Sequence, residues 1–293
     1  MAYSDTDTEV VDYQVYCLDK KIIDPYTGKS LQLRGPKPQN LVKNRYFVCL
    51  GAAQTFGRYC AKPYPMLLEE KIGLPGLNLG QGGAGPSFFG QNKKLLDYIN
   101  NARFVIVQVM SGRSQDNSLF ADCRGAFVTR RSDGKKIKCD DAYSELLKTK
   151  NRGFIKKTVF ETRNNWINSY RELMEKIKIP KILFWFSMRK PDYQEKYHKL
   201  HGLFGQFPQL IDAKSMEQIR LYSDKYVECV SDRGIPQRLI SRFTGKPIVI
   251  EQKWSGRSVN ENSYYPSPEM HVDAATALEK VCLEIVSERL TNY

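Results

Sequence analysis

Short, β-rich apolar runs alternate with helical segments along this chain, and that alternation narrows the architecture more than any other feature. The runs are Arg45–Leu50 (RYFVCL), Leu77–Leu79, Ala102–Met110 (ARFVIVQVM), Lys181–Ser187 (KILFWFS) and Lys246–Ile250 (KPIVI). Most are apolar at consecutive rather than alternate positions, which suits strands buried on both faces of a parallel sheet. Between them, Pro65–Ile72, Gln91–Asn101, Thr158–Ile177 and Asp273–Leu290 carry helical spacing, the first opened by Pro65 and closed by Gly73. Met216–Val227 mixes helix and strand signals. The expectation is an α/β three-layer sandwich with a mostly parallel central sheet. Residues 1–44, rich in turn pairs such as Asp24-Pro25, Thr27-Gly28 and Gly35-Pro36, read as an extended N-terminal arm, and 45–293 as one domain.

In an open parallel sheet the ligand crevice lies beyond the carboxyl ends of the strands, so the segments following each strand matter most. They are Gly51–Arg58, Asn78–Pro86, Ser111–Asn117 and Ser187–Pro191, joined by Tyr264–His271 before the last helix. Each is small and polar, and several bring a cation. The turn Gly80, Gly82, Gly85 has the formal spacing of a dinucleotide fingerprint, but it does not follow the first strand and no acid ends the next one, where Gln108–Met110 stands. No Walker A loop occurs. His198 and His201 could share a helix face, yet no third ligand is near, so no metal site is expected. The seven cysteines are scattered without a Cys-x-x-Cys pair, which suits reduced thiols in a cytoplasm. The acidic, polar start carries no secretory pattern, and the longest apolar run, Ile182–Phe186, is far too short to span a bilayer.

The net charge is +13, from 45 basic and 32 acidic residues. Eleven basic and four acidic residues fall between 124 and 157, so a basic insertion after the third strand supplies over half of the surplus. Its aromatics, Phe127, Tyr143 and Phe154, are too sparse for a base-stacking platform, and no nucleic-acid motif occurs. Nucleic acid is thus disfavoured as a partner. An anionic donor or glycan, or peripheral contact with the inner face of a membrane, fits the charge at least as well.

The blocks Cys49–Gly57, Asn78-Leu79-Gly80, Ser111-Gly112-Arg113 and the late His271 resemble the ordered blocks of the SGNH hydrolase superfamily. More closely, Gly57-Arg58, Lys62–Pro65, Gly73-Leu74-Pro75, Asn78–Gly80 and Val107–Met110 resemble a bacterial domain family of unknown function, whose members often sit near genes for surface polysaccharides. The resemblance implies an SGNH- or flavodoxin-like sheet. It also exposes departures. Where the pattern has Gly-Asp-Ser this chain has Gly51-Ala52-Ala53, so no nucleophile stands there. The aspartate three before the histidine falls on Pro268, leaving Glu269 nearby, and the Asn of the third block falls on Ser114, with Asn117 close.

A site without the serine can still be imagined in two ways. His271, oriented by Glu269, would act as a base on an acceptor hydroxyl. Gln54, Thr55, Asn78, Gly80, Ser111 and Asn117 would bind substrate, while Arg58, Arg113 and Arg189 clamp an anionic donor. That describes group transfer to a carbohydrate hydroxyl, with 3′-phosphoadenosine-5′-phosphosulfate as a fitting donor by loose similarity to sulfotransferases. The alternative is a catalytically degenerate relative that binds an anionic glycan or a partner protein.

Overall fold

The computed structural model describes residues 3–122, 124–252 and 256–288. Cys123 and Leu290 lie outside the described residues. Five strands form the central sheet: β1 (Phe47–Leu50), β2 (Gly76–Asn78), β3 (Phe104–Gln108), β4 (Lys181–Ser187) and β5 (Lys225–Val230). They are all parallel, in the order β2-β1-β3-β4-β5. The connections hold α1 (Ala53–Phe56), α2 (Tyr64–Ile72), α3 (Pro86–Gly90), α4 (Lys93–Asn100), α5 (Cys139–Thr149), α6 (Arg152–Lys176), α7 (Leu200–Phe204), α8 (Ala213–Arg220) and α9 (Pro268–Glu288).

The period of two along each strand sorts the core into two layers. Phe47, Cys49, Phe104, Ile106, Phe184 and Phe186 face α2 and α9, meeting Tyr64, Leu68, Leu278 and Cys282. Val48, Leu50, Val105, Val107, Leu183 and Trp185 face the other way, against Phe89, Leu95, Ile99, Trp166, Tyr170 and Ile219. Successive residues of Phe47–Leu50 and Phe104–Val107 therefore all enter an apolar layer, which is why those runs show no alternation. The fold is the expected α/β sandwich.

Two expectations need correction. Lys246–Ile250 does not join the sheet. Ile250–Gln252 pairs antiparallel with Arg257–Val259 in a separate ribbon, and Pro247, which has no N–H to give a ladder, makes only an isolated bridge to Ile240. The fifth strand instead comes from the ambiguous stretch 216–227, which divides into α8 and β5. As an edge strand, β5 buries only Val227 and Cys229, so its apolar signal is halved. The helix expected from Thr158 starts at Arg152, where the Asn151 side chain accepts a hydrogen bond from the Phe154 amide.

The basic segment is a small structured unit. Phe120–Asp122, Phe127–Arg130 and Lys136–Lys138 form a three-stranded antiparallel sheet. Beneath it, Phe120, Val128, Cys139, Tyr143, Ile155, Leu203 and Leu210 make a satellite core. The arm is likewise held: Val11, Tyr13, Ile22, Leu31 and Leu33 are buried, and Tyr16–Cys17 pairs with Gln32–Leu33. Among the described residues no helix is long and apolar enough to cross a membrane.

Helix α6 fastens the end of β3. Trp166 Nε1 donates to the Met110 carbonyl at 3.1 Å. The Tyr170 hydroxyl donates to the Gln108 carbonyl at 2.9 Å and accepts from the Met110 amide at 2.7 Å. Trp166→Phe keeps an aromatic ring but strands the Met110 carbonyl. It is expected to lower stability by about 1–3 kcal/mol in urea unfolding, the usual penalty for a buried group left without its partner.

Candidate functional site at the carboxyl end of the sheet

The order β2-β1-β3 puts the switch point of the sheet between β1 and β3, and the segments after these strands form the site. Gly51 ends β1 because nothing larger fits: a Cβ there would lie 2.1 Å from Thr55 Oγ1 and 2.3 Å from Gln108 Oε1. The Gln108 carboxamide ties the turn together, its oxygen accepting from the Ala52 amide at 3.0 Å and from Thr55 Oγ1 at 2.7 Å. Gly80 packs the next turn onto α1, since a Cβ there would lie 2.2 Å from the Phe56 amide nitrogen. Asn78 bridges the two turns, donating to the Thr55 carbonyl and accepting from the Gly80 amide, both at 2.9 Å. Thr55, Asn78 and Gly80 are thus brought together as expected, but as parts of a closed network.

His271 is not before α9 but within its first turn, and it is completely buried. Its Nδ1 accepts the Tyr64 amide hydrogen at 3.1 Å. The Phe186 ring meets the imidazole edge-on, centroids 5.4 Å apart. An amide can only donate, so the imidazole proton sits on Nε2, which has no partner among the described residues. Burial, reinforced by the charge of nearby Arg34, pushes its pKa down to about 3. Glu269 does not orient it. That residue is exposed, and a Cβ added at Gly234 would lie 2.2 Å from Glu269 Oε2. The expected Glu269–His271 pair is therefore absent, because the backbone of α2 holds the nitrogen a carboxylate would take.

Of the three expected arginine clamps, two are already engaged. Arg58 pairs with buried Asp7, Nη2 to Oδ2 at 2.8 Å, and donates to the Tyr265 hydroxyl at 2.9 Å. Arg189 lies over Trp185 and Tyr193 and donates to the carbonyls of Lys190, Gln206, Pro208 and Ile211. Asn117 is structural too, capping its own turn through the Leu119 and Phe120 amides and donating to Thr162 Oγ1. Ser111 accepts from the Arg113 amide at 3.3 Å, and Gln54 is buried with its carboxamide oxygen unpaired.

Arg113 remains. Among the described residues its ion pair is to the exposed carboxylate of Asp140, loose at 3.7 Å, and its Nε has no partner. Burial opposes its charge, but Tyr264, Cys139, Asp140 and Tyr265 around it outweigh that and hold its pKa above the usual. Gln209 completes the group: its Nε2 donates to the Tyr264 hydroxyl at 3.0 Å, its backbone carbonyl takes the Gly112 amide, and its Oε1 is unpaired. Sequence reasoning missed Gln209 and Arg34. It found Tyr264 only as part of a turn. A separate cleft of about 670 Å³ runs along α6, but Arg163 in it is already ion-paired to Glu195 and Asp212.

Residues 1–122 and 144–286 match the pattern of a family described as a domain of unknown function, DUF6473. The chain belongs to that family. The match passes over 123–143, so most of the antiparallel basic sheet lies outside the DUF6473 pattern. No curated protein matches the chain. Among solved structures, it is similar to LAE5, an alpha/beta hydrolase enzyme from the metagenome of Lake Arreo, at 11% identity and TM-score 0.43, over 83% of this chain and 97% of that one. It is also similar to the acetylxylan esterase Axe2 from Geobacillus stearothermophilus, at 11% identity and TM-score 0.38, over 84% and 96%. A third similarity is to a lipolytic G-D-S-L family structure from Desulfitobacterium hafniense, at 12% identity and TM-score 0.33, over 81% and 99%.

Proposed function

We propose that this DUF6473 protein is a binding member of an SGNH-like scaffold, without serine-hydrolase chemistry, that takes an anionic glycan or similar anionic ligand at Arg113, Tyr264 and Gln209. The observation that carries this reading is the state of the two catalytic positions. Ala53 offers no nucleophile where the SGNH pattern has serine, and His271 is sealed beneath α2 with no route to an acceptor hydroxyl. A direct group transfer would need a base at that hydroxyl, which favours binding over transfer. The Arg113 guanidinium, the Tyr264 hydroxyl and the Gln209 carboxamide offer a cation, a phenol and an amide to one ligand. That set suits a sulfated, phosphorylated or uronic sugar, with an aromatic face for the ring and a fork for the anion.

The test is calorimetric titration with sulfated, uronic and neutral oligosaccharides. Anionic ligands should bind and neutral ones should not. Arg113→Ala should weaken binding about 10- to 100-fold, in line with the loss of one charge-assisted hydrogen-bonding group. Equal binding of neutral sugars, or an unchanged Kd in the variant, would defeat the reading. So would turnover of p-nitrophenyl acetate that disappears in His271→Ala, because it would restore the histidine to catalysis.

A further inference from the structure

The cleft along α6 carries a charge pattern that folding alone does not require. Arg152, Lys156, Phe160, Asn164 and Ile167 follow one another at helical spacing, and all of them line it. At 1.5 Å per residue that stripe is about 20 Å long. The other wall is the segment 192–197 and the start of α8, from Asp212 to Gln218. Between the walls lies a cavity of about 670 Å³. Phe160, on the stripe, is 66% exposed.

Four cations and three acids line the cleft. Arg163 takes two of the acids, Glu195 at 3.1 Å and Asp212 at 3.0 Å. Arg152, Lys156 and Lys214 are left against Asp192 alone, so the open charge is positive. Arg152 and Lys156 rest on one ring: the guanidinium carbon and the Nζ lie 5.1 and 5.8 Å from the Tyr197 centroid. Neither is in an ion pair among the described residues. Both sit in the first two turns of α6, at the positive end of its dipole, where cations cost stability and acids would add it. Residues 146–160 nonetheless hold five cations and no acid. Such a concentration of like charge, beside an exposed phenylalanine, is relieved by an anionic partner with an apolar group.

We propose that this cleft binds an acidic segment of a partner protein. Its carboxylates meet Arg152 and Lys156, and an apolar side chain lies against Phe160. Charge complementarity selects the carboxylates. Length selects a peptide: about 20 Å holds about six residues of extended chain, whereas a single small anion would fill one end only. The carboxamides of Asn164, Gln194 and Gln218 also line the cleft, and each can both donate to and accept from a peptide backbone. A bilayer surface would not enter a cleft between two walls. Arg113 is not among the lining residues, so this site is independent of the ligand proposed there.

Fluorescence anisotropy of the full chain with labelled peptides tests this. The probe is a decapeptide of Asp and Glu with one central Leu; its counterpart has Asn and Gln in place of the acids. The acidic peptide should bind, more weakly as salt rises, and the amide peptide should not. Arg152→Glu with Lys156→Glu should weaken binding about 30-fold or more, because attraction becomes repulsion. Phe160→Ser, or Gly for the Leu of the peptide, should each cost about tenfold. All three protein positions are exposed, so Tm should stay unchanged in these variants. Arg113→Ala, and Lys135→Glu with Lys136→Glu, should bind within about threefold of the native protein, since neither site lines the cleft. No binding at millimolar peptide, equal binding of the amide peptide, or full binding by the Arg152 and Lys156 variant would refute the proposal. So would binding of sulfated oligosaccharides or of phosphatidylglycerol vesicles through Arg152 and Lys156 when the peptide does not bind.

Discussion

Acidification from pH 7 to pH 4 is expected to destabilise the fold by up to about 3 kcal/mol through His271 alone. In the folded chain the imidazole is wholly buried and titrates near 3, against 6.5 for a free histidine. The folded pKa is the lower one, so as pH falls through 6.5 the unfolded chain takes up a proton that the folded chain refuses. Stability is then flat above about pH 7 and falls by about 1.4 kcal/mol per pH unit below the unfolded pKa. The loss levels off near pH 3, where the folded imidazole protonates as well. The surroundings explain the refusal: the rings of Tyr64 and Phe186 exclude water, the Tyr64 amide occupies Nδ1, and Arg34 supplies a like charge. His271→Asn, whose side-chain oxygen can still accept the Tyr64 amide hydrogen, should show a flatter pH dependence in urea melts at pH 7, 5 and 4. An unchanged slope in that variant would assign the acid sensitivity to other groups.

Asp7→Asn should lower stability by about 3–5 kcal/mol, the range found when one member of a buried ion pair is removed. Asp7 has no exposed surface and Arg58 has 5%. The carboxylate accepts from Arg58, from the Tyr59 hydroxyl at 3.1 Å, and from the Ser4 amide at 2.8 Å. The asparagine keeps the shape but leaves the guanidinium buried without charge compensation, and its amino group has too few acceptors. Replacing both partners, as Asp7→Leu with Arg58→Met, should recover part of the loss, because two desolvated charges disappear together. Chemical denaturation of the single and double variants measures both effects. A single-variant loss under about 1 kcal/mol would mean that water reaches the pair.

The layout of the sheet was legible in the sequence where strands are covered on both faces. Arg45–Leu50, Ala102–Met110 and Lys181–Ser187 carry the unbroken apolar stretches Tyr46–Leu50, Phe104–Val107 and Ile182–Phe186 because Phe47 and Val48, or Phe184 and Trp185, point into different cores. The edge strand β5 was not legible, since Glu228 between Val227 and Cys229 faces solvent and dilutes the pattern. The turns after the strands were located correctly, yet their side chains were assigned to ligands that turned out to be other parts of the chain. Arg58 illustrates why. Its acid lies 51 residues away in the arm, and no local spacing announces a partner at that separation. His271 could be singled out by its place near the last helix, but whether it faces a crevice or a core depends on α2, which crosses over it. One signal was available and passed over: Gln108 is a carboxamide at the end of a wholly buried strand, and such a group must find partners. Its oxygen does, in the turn around Gly51, while its Nε2 has no partner among the described residues.

The arm also ties the first residues of the chain to some of the last. Thr6 Oγ1 donates to the Glu251 carbonyl, and Arg242 donates to the carbonyls of Thr8 and Glu9. The Arg58 that holds Asp7 leans in turn on Tyr265. On the ribosome, therefore, Asp7 and Arg58 emerge well before Tyr265, and the contact of Arg58 with Tyr265 waits about 10–50 s at ordinary elongation rates. During that interval the face of β1 that α9 covers, with Phe47 and Cys49, is open to other chains. Synthesis speed therefore bears on how this chain folds alongside its equilibrium stability.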